Sequence, residues 1–193
     1  MTSLAEKPAV LYSQEQIAGR VGGIGQEIAK AYAGEEICVV GLMKSCLVFM
    51  ADMMRAIPLE MSCHFLRAAT LQEGSGSVRT DIVYSTDIPY EGRHIVLLDD
   101  IIDTGITLSF LLNHIQEQNP RSLKVCALID KPSDRKIDVQ PDWAAFTIRE
   151  PLGFIVGYGL DHEERYRGLP YLGTIPRQAR PAEGRKITLS SQG

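Results

Sequence analysis

Three carboxylates and a threonine-glycine segment follow one short apolar run. Residues 95–98 are apolar at every position, and Asp99, Asp100 and Asp103 follow, with the sequence Thr-Gly-Ile-Thr at 104–107. The glycine permits unusual backbone angles and the close approach of a ligand. Free N–H groups at the start of a helix, together with threonine hydroxyls, form a binding site for an anion such as phosphate. The three acids in the same segment would repel that anion unless they bind another part of the ligand.

A single ligand can use both ends of this segment if it carries a phosphate and also hydroxyls or a magnesium ion. Ribose 5-phosphate has this chemistry, with Asp99 and Asp100 accepting from its 2- and 3-hydroxyls or from metal-bound waters. Asp103 is then left near the anomeric carbon, where a substitution reaction would occur. The alternative is a helix cap with solvated acids, which we would prefer for an isolated Asp-Thr-Gly. The apolar strand, the acid pair and the DTGxT pattern together favour the ligand site at the carboxyl end of a strand.

The elements around this segment alternate between strands and helices. Apolar runs predict strands. A capping box of Ser13 and Gln16 predicts the start of a helix that runs to about Gly34. The alternation predicts an α/β fold with a mostly parallel sheet. The predicted strands are 37–41, 61–66, 80–85, 95–98, 124–129 and 143–148, and the other predicted helices are 45–56 and 107–118.

Residues 68–78 interrupt this pattern. The segment contains Gly74-Ser75-Gly76-Ser77, which offers little apolar surface to pack, and we expect it to be a mobile loop.

Length and composition narrow the class of protein. A chain of 193 residues suits one domain, and its net charge of −4 argues against a general nucleic-acid binder. No apolar run approaches the length of a membrane span, and the N-terminal residues have no apolar signal core. The four cysteines form no CxxC pair, which is typical of reduced thiols in a cytosolic protein.

Four stretches of the chain match one known family pattern in the same order. They are IVLLDDIIDTGITL (95–108), FIVGYGLD (154–161) followed by RYR at 165–167 and LPY at 169–171, VVGLMK (39–44) before FMAD (49–52), and Lys131 after ALID (127–130). On these stretches the chain resembles the purine phosphoribosyltransferases of the type I fold, and within them the hypoxanthine-guanine branch. The resemblance covers about residues 10 to 175.

The resemblance implies a magnesium-dependent, reversible transfer in which hypoxanthine or guanine attacks C1 of phosphoribosyl pyrophosphate (PRPP). It also implies one type I phosphoribosyltransferase domain, 1–193, whose core spans about 35–150 and whose small hood comes from about 1–34 and 151–193. A cytoplasmic homodimer or homotetramer is expected. Its partners would be PRPP and a 6-oxopurine base, with no nucleic acid and no membrane.

Roles for individual residues follow from the resemblance. Asp103 would exchange a proton with purine N7, and Arg167 would assist at the pyrophosphate. The phosphoribosyl group would be bound by Asp99, Asp100, Asp103, Thr104, Gly105, Ile106 and Thr107, and the pyrophosphate by Met43, Lys44, Ser45 and Arg167. The purine would be bound by Lys131, Phe154, Ile155 and Asp161, and magnesium by Asp161, Asp99 and Asp100. From the residues alone, Lys131 could equally be a surface charge and Phe154 a core aromatic.

The family pattern also predicts a cis peptide bond between Met43 and Lys44. Two departures from that pattern stand out: Ser45 and Cys46 replace the usual glycine and small residue, and Ala68-Ala69 replace the usual serine-tyrosine pair of the mobile loop. These changes leave open a xanthine-preferring enzyme. A non-enzymatic RNA-binding regulator of the same fold is a further alternative, although the net charge of −4 argues against it.

Overall fold

A computed structural model describes residues 7–72, 78–85 and 87–176 of the chain. It contains two β-sheets and three α-helices within those residues. In chain order the elements are β1 (Ala9–Tyr12), α1 (Gln14–Ala31), β2 (Ile37–Leu42), α2 (Leu47–Ala56), β3 (Met61–Gln72), β4 (Val78–Ser85), β5 (His94–Ile102), α3 (Ile106–Gln116), β6 (Ser122–Asp130), β7 (Trp143–Thr147), β8 (Phe154–Val156) and β9 (Leu172–Ile175), with a 3-10 turn at Pro132–Asp134.

The central sheet has six strands in the order β4-β3-β2-β5-β6-β7. Its pairs β2–β3, β2–β5, β5–β6 and β6–β7 are parallel, and only β3–β4 is antiparallel. The predicted α/β class with a mostly parallel sheet is therefore confirmed. Strand β5 lies near the middle of this sheet, between β2 and β6, so the acids at its end stand at the centre of one sheet edge.

The uninterrupted apolar run of β5 reflects burial on both faces of the sheet. Val96 and Leu98 belong to a cluster that includes side chains of α1 and α2. Ile95 and Leu97 point the other way, into a second cluster with α3. All four are fully buried, and burying such a side chain contributes about 1.5–3 kcal/mol. The strand that carries the acids is thus held rigidly between two cores.

Helix α1 begins at the predicted capping box. The Ser13 hydroxyl accepts from the Gln16 N–H at 3.3 Å, and the Ser13 N–H donates to the Gln16 side chain at 2.8 Å. The helix ends at Ala31, three residues before the predicted end near Gly34. Gly25 has a packing reason, because a Cβ there would lie 2.5 Å from the carbonyl oxygen of Ala56. The glycine therefore lets α1 and α2 approach closely.

The prediction of a loop at residues 68–78 is wrong for residues 68–72 and for Val78, the first residue of β4. Strand β3 continues to Gln72 and pairs with β4, with Ala68 opposite Ile82 and Ala69 opposite Asp81. The antiparallel partner satisfies the backbone hydrogen bonds of this stretch, and the composition of the stretch does not reveal that pairing. Residues 73–77, which include the stretch 74–77 that we expected to be mobile, lie outside the described residues.

A second, three-stranded antiparallel sheet joins the two ends of the described chain, in the order β1-β9-β8. Sequence periodicity did not predict these three short strands. Gly173 of β9 lies so close to β1 that an added Cβ would be 3.1 Å from the carbonyl oxygen of Ala9. The limits of core and hood stay a prediction, and the hood residues 177–193 lie outside the described residues. Among the described helices, none has the length and apolarity needed to cross a bilayer.

Candidate active site

The acid pair stands at the carboxyl end of β5. Asp99 is buried, with 6% of its surface exposed, and its carboxylate accepts from the Asp100 N–H at 2.9 Å. Burial raises the pKa of Asp99 well above its usual range, and the neighbouring charge of Asp100 raises it further. A ligand that brings hydroxyl donors or a cation to this carboxylate would relieve that unfavourable environment.

The segment after the acids turns directly into α3. Asp103 is exposed, and its carboxylate accepts from the Thr104 N–H at 2.5 Å. Gly105 has φ +80° and immediately precedes the first helical residue, Ile106, whose N–H lies 3.5 Å from the Thr104 hydroxyl. The first N–H groups of a helix have no partner inside the helix. The start of α3 therefore lies directly after the three acids, and its role as an anion site stays a prediction.

A segment that the sequence analysis did not single out supports this turn from behind. The Arg135 guanidinium donates to the carbonyl oxygen of Asp103 at 2.8 Å and pairs with the carboxylate of Asp130. The Lys136 N–H donates to the carbonyl oxygen of Thr104 at 2.9 Å. A Cβ on Gly105 would lie 2.6 Å from a methyl carbon of Val139. No motif marks these contacts, because they depend on the path of the chain after β6.

One cavity of about 200 Å³ brings most of the predicted phosphoribosyl and pyrophosphate residues together. It lies between the end of β5, the start of α3 and the loop after β2. Ala68 also lines this cavity. The predicted site residues that line it are Met43, Ser45, Asp99, Asp100, Asp103, Gly105 and Thr107.

The loop after β2 contains the Met43–Lys44 peptide bond, which is cis. The prediction of this bond is therefore confirmed. The Lys44 ammonium donates to the carboxylate of Glu164 at 2.7 Å. Ser45 accepts from the Arg167 guanidinium at 3.1 Å. Lys44 of this loop and Arg167 of a distant part of the chain thus lie beside the same carboxylate, that of Glu164.

Arg167 is fixed by contacts on both sides of its guanidinium. Its Nη1 donates to Ser45 Oγ and, at 2.9 Å, to the carbonyl oxygen of Gly159. Its Nη2 pairs with Asp161 at 2.7 Å and with Glu164 at 3.2 Å. Asp161 also accepts from the Glu164 N–H at 2.8 Å. The structure therefore brings Asp161 to Arg167. The assignment of Asp161 as a magnesium ligand stays a prediction.

Lys131 lies at the end of β6, beside the phosphoribosyl segment. Its N–H donates to the carbonyl oxygen of Ile102 at 2.9 Å. Its ammonium pairs with Asp134, and only 14% of the side chain is exposed. This burial argues against the alternative of an ordinary surface charge.

Phe154 and Ile155 begin β8, on the hood side of the chain. Phe154 is 40% exposed and stacks on His162 with ring centroids 4.3 Å apart. This exposure argues against a core aromatic. Ile155 is buried and pairs with Thr174 of β9. Its backbone, and not its buried side chain, is therefore suited to contact the edge of a ligand.

A second cavity, of about 520 Å³, lies between α1, α2 and residues 158–170. Its wall includes Arg167 and the Asp52–Arg55 ion pair. Asp52 also accepts from the hydroxyl of Tyr158, and burial together with this carboxylate raises the pKa of that phenol. The acids of β5 do not line this cavity, and Arg167 is the predicted site residue in its wall.

Comparison with known proteins identifies the family. A family model described as a phosphoribosyl transferase domain matches residues 10–163. The chain belongs to the phosphoribosyltransferase family. The fold and the order of the site segments agree with this membership.

Relatives of this phosphoribosyltransferase include a hypoxanthine-guanine phosphoribosyltransferase of Mycobacterium avium, 38% identical, with 86% of this chain and 85% of the relative covered. Another from Bacillus subtilis is 38% identical over 86% of this chain and 92% of the relative. A crystal structure of such an enzyme from Bacillus anthracis has a TM-score of 0.78 at 37% identity, covering 86% of this chain and 95% of that one. A crystal structure of a Staphylococcus aureus hypoxanthine phosphoribosyltransferase has a TM-score of 0.83 at 31% identity, covering 91% of this chain and 96% of that one.

Proposed function

We propose that this phosphoribosyltransferase transfers the phosphoribosyl group of PRPP to hypoxanthine and guanine, forming IMP or GMP and pyrophosphate in purine salvage. The curated relatives described above are named for this activity on these bases. The observation that carries the proposal is the 200 Å³ cavity in which the acid pair, the DTGIT segment and the loop with the cis bond converge. The DTGIT segment would bind the 5-phosphate of PRPP, and the loop with the cis bond would bind its pyrophosphate.

The DTGIT segment binds the 5-phosphate. Backbone N–H groups at the start of α3 donate to the phosphate oxygens, and the side chains of Thr104 and Thr107 add hydroxyl donors. Asp99 and Asp100 accept from the ribose hydroxyls. Because Gly105 is packed against Val139, the phosphate loop keeps its shape before the substrate binds.

The chemical step breaks the bond between C1 of the ribose and the pyrophosphate oxygen. A ring nitrogen of the purine forms the new bond to C1. The purine then gives up the proton on N7, and the Asp103 carboxylate accepts it. Asp103 is exposed and stands at the far end of the sugar, where it can exchange a proton with purine N7. Nearby carboxylates also stabilise the positive charge that develops on the ribose.

Lys131 and Phe154 select the base. The Lys131 ammonium donates to the O6 atom of hypoxanthine or guanine, and adenine has an amino group at that position. Phe154 stacks on the purine face, a contact worth about 1–3 kcal/mol. The Ile155 carbonyl accepts from the edge of the base. The Lys131 ammonium pairs with Asp134 in the free protein and would contact O6 when the base is bound, so it has a partner in both states.

The site suits magnesium that arrives with the substrate. Within the described residues, no group of three or more His, Cys, Asp or Glu side chains forms a cage for a metal. Magnesium usually keeps several waters and takes one or two carboxylates together with substrate phosphates. Asp99, Asp100 and Asp161 are the candidates to hold it, and when bound it neutralises charge on the leaving pyrophosphate.

Partners and location are part of the same proposal. We expect small-molecule substrates, no nucleic acid or membrane, and a homodimer or homotetramer. A cytoplasmic location is supported by four cysteines that are free thiols. A preference for xanthine is the second candidate function, because Ala68 of the cavity wall replaces the usual serine.

One assay tests the function directly. The protein is incubated with PRPP and magnesium in separate tubes with hypoxanthine, guanine, xanthine and adenine. We expect nucleotide from the first two and little from adenine. Nucleotide formed fastest from xanthine would favour the second candidate. No nucleotide from any base, together with tight, salt-sensitive RNA binding, would point to the regulator instead.

A further inference from the structure

Glu163 and Glu164 occupy the middle of an unusual turn beside the pyrophosphate loop. His162 and Arg165 exchange backbone hydrogen bonds of 3.3 and 3.1 Å, which closes the turn around the two glutamates. Their φ angles are +53° and +60°, in the left-handed region. Turns of this kind normally use Asn-Gly or Asp-Gly, because other side chains are strained there. Strain of this sort is commonly kept for a functional reason.

The Glu164 carboxylate contacts both cations assigned to the pyrophosphate. One oxygen accepts from the Lys44 ammonium at 2.7 Å, and the other from Arg167, with Nη2 at 3.2 Å and Nε at 3.4 Å. A carboxylate thus lies where a phosphate would accept from the same donors.

We propose that Glu164 sets the affinity for pyrophosphate by competing with it for Lys44 and Arg167. The inference depends on the proposed function, in which those two side chains bind the pyrophosphate group. When pyrophosphate or PRPP binds, the Glu164 side chain leaves the cations, and it returns as the product departs. The competition weakens binding of pyrophosphate and hastens its release.

The contacts of Arg167 show why Glu164 is displaceable. Without Glu164, the guanidinium still has Asp161 at 2.7 Å, the Gly159 carbonyl oxygen at 2.9 Å and Ser45 Oγ at 3.1 Å. The Glu164 side chain is 66% exposed, so it can move into solvent. Its backbone N–H stays bound to Asp161 at 2.8 Å, so only the side chain has to move.

Stability does not explain these ion pairs. Lys44 and Glu164 have side-chain exposures of 50% and 66%, and exposed pairs of this kind contribute little to folding. The left-handed backbone of the turn adds a cost that such a pair does not offset. A role in ligand affinity accounts for both features.

The test compares Glu164→Gln with Glu163→Gln. The control removes the same charge from the adjacent turn residue, and no ion pair joins Glu163 to either cation among the described residues. The inhibition constant of pyrophosphate against PRPP, the KM for PRPP and kcat are measured. We expect the inhibition constant and the KM to fall by about 3- to 10-fold in Glu164→Gln, from the loss of two competing pairs, and to stay within twofold of wild type in Glu163→Gln.

A second variant, Glu164→Asn, separates charge from backbone strain. Asparagine tolerates left-handed φ, so this variant folds at least as well as the wild type, and it should show the same tighter binding. An unchanged or raised inhibition constant in both Glu164 variants would overturn the inference. Calorimetric titration with magnesium pyrophosphate alone gives the same comparison without turnover. A wild type that makes no nucleotide would count against the proposed function, whereas an active wild type whose Glu164 variants behave like Glu163→Gln would count against Glu164 alone.

Discussion

Gly159 packs directly against the main chain of Ser45. A Cβ on Gly159 would lie 2.2 Å from the Ser45 carbonyl oxygen. The two residues are far apart in the sequence and belong to different site segments. This contact, together with Arg167 bridging Ser45 and the Gly159 carbonyl, fixes the pyrophosphate loop against the segment that carries Asp161.

Replacing Gly159 with alanine should therefore disturb the pyrophosphate loop. The residue has φ +98°, and the added Cβ meets backbone that has little freedom to shift. We expect the free energy of unfolding to fall by more than about 1 kcal/mol and the KM for PRPP to rise. Gly34→Ala is the matched control, since Gly34 has φ +80° but no described heavy atom within 4 Å of an added Cβ. Equal KM values for PRPP in the two variants would contradict the role of the contact.

Asp103→Asn should reduce turnover and spare binding. The amide oxygen can still accept from the Thr104 N–H, so the loop keeps its hydrogen bond. The amide cannot exchange a proton with the purine. We expect kcat to fall by about 10²- to 10⁴-fold, with the KM for PRPP changed only a few-fold. Steady-state kinetics decides this, and a kcat near that of the wild type would remove Asp103 from the mechanism.

Lys131→Ala should weaken selection for 6-oxopurines. A hydrogen bond from a charged donor is worth about 1.5–3 kcal/mol, so kcat/KM for hypoxanthine should fall by roughly 10- to 100-fold. Use of adenine should change little. Lys136→Ala is the control, because Lys136 is exposed on the neighbouring loop. If hypoxanthine and adenine were affected equally, the specificity role of Lys131 would be wrong.

Phe154→Ala should raise the KM for the base and leave the KM for PRPP unchanged. Loss of stacking is expected to cost about 1–3 kcal/mol. Because Phe154 is 40% exposed, its removal should lower the melting temperature little. Leu47→Ala removes an apolar side chain of similar exposure, 49%, at the start of α2 and serves as the control. Equal effects on both substrates would argue for a general packing role.

The stability of the protein should decline at alkaline pH. Burial raises the pKa of Tyr90 to about 12. In the unfolded chain this phenol ionises near its usual pKa of about 10. Between these values the unfolded state loses a proton that the folded state retains, so stability is present below pH 10 and is lost as pH rises towards 12. Urea unfolding of wild type and Tyr90→Phe from pH 8 to 11 measures this loss of stability. Parallel curves of unfolding free energy against pH for the two proteins would exclude Tyr90 as its source.

The local features of this protein follow from its sequence. Residues 95–98 are apolar without alternation, which predicts a strand buried on both faces, and the structure buries them between two clusters. The Ser13 and Gln16 capping box depends on residues three positions apart and forms as predicted. The positions of the acids near the end of a strand and of the DTGIT segment at the start of a helix were also predicted, because strand end, turn and helix start are contiguous in the chain.

Tertiary structure alone decided which distant groups meet. Strand β3 extends to Gln72 because β4 pairs with it, and no local pattern distinguishes that hydrogen bonding from a loop. Arg135 reaches the Asp103 carbonyl, and Glu164 reaches Lys44, across 32 and 120 positions of sequence. Short-range propensities favour individual helices, strands and turns. The ion pairs and close glycine contacts that shape the site are set by how those elements pack, so they emerge only when the chain is folded.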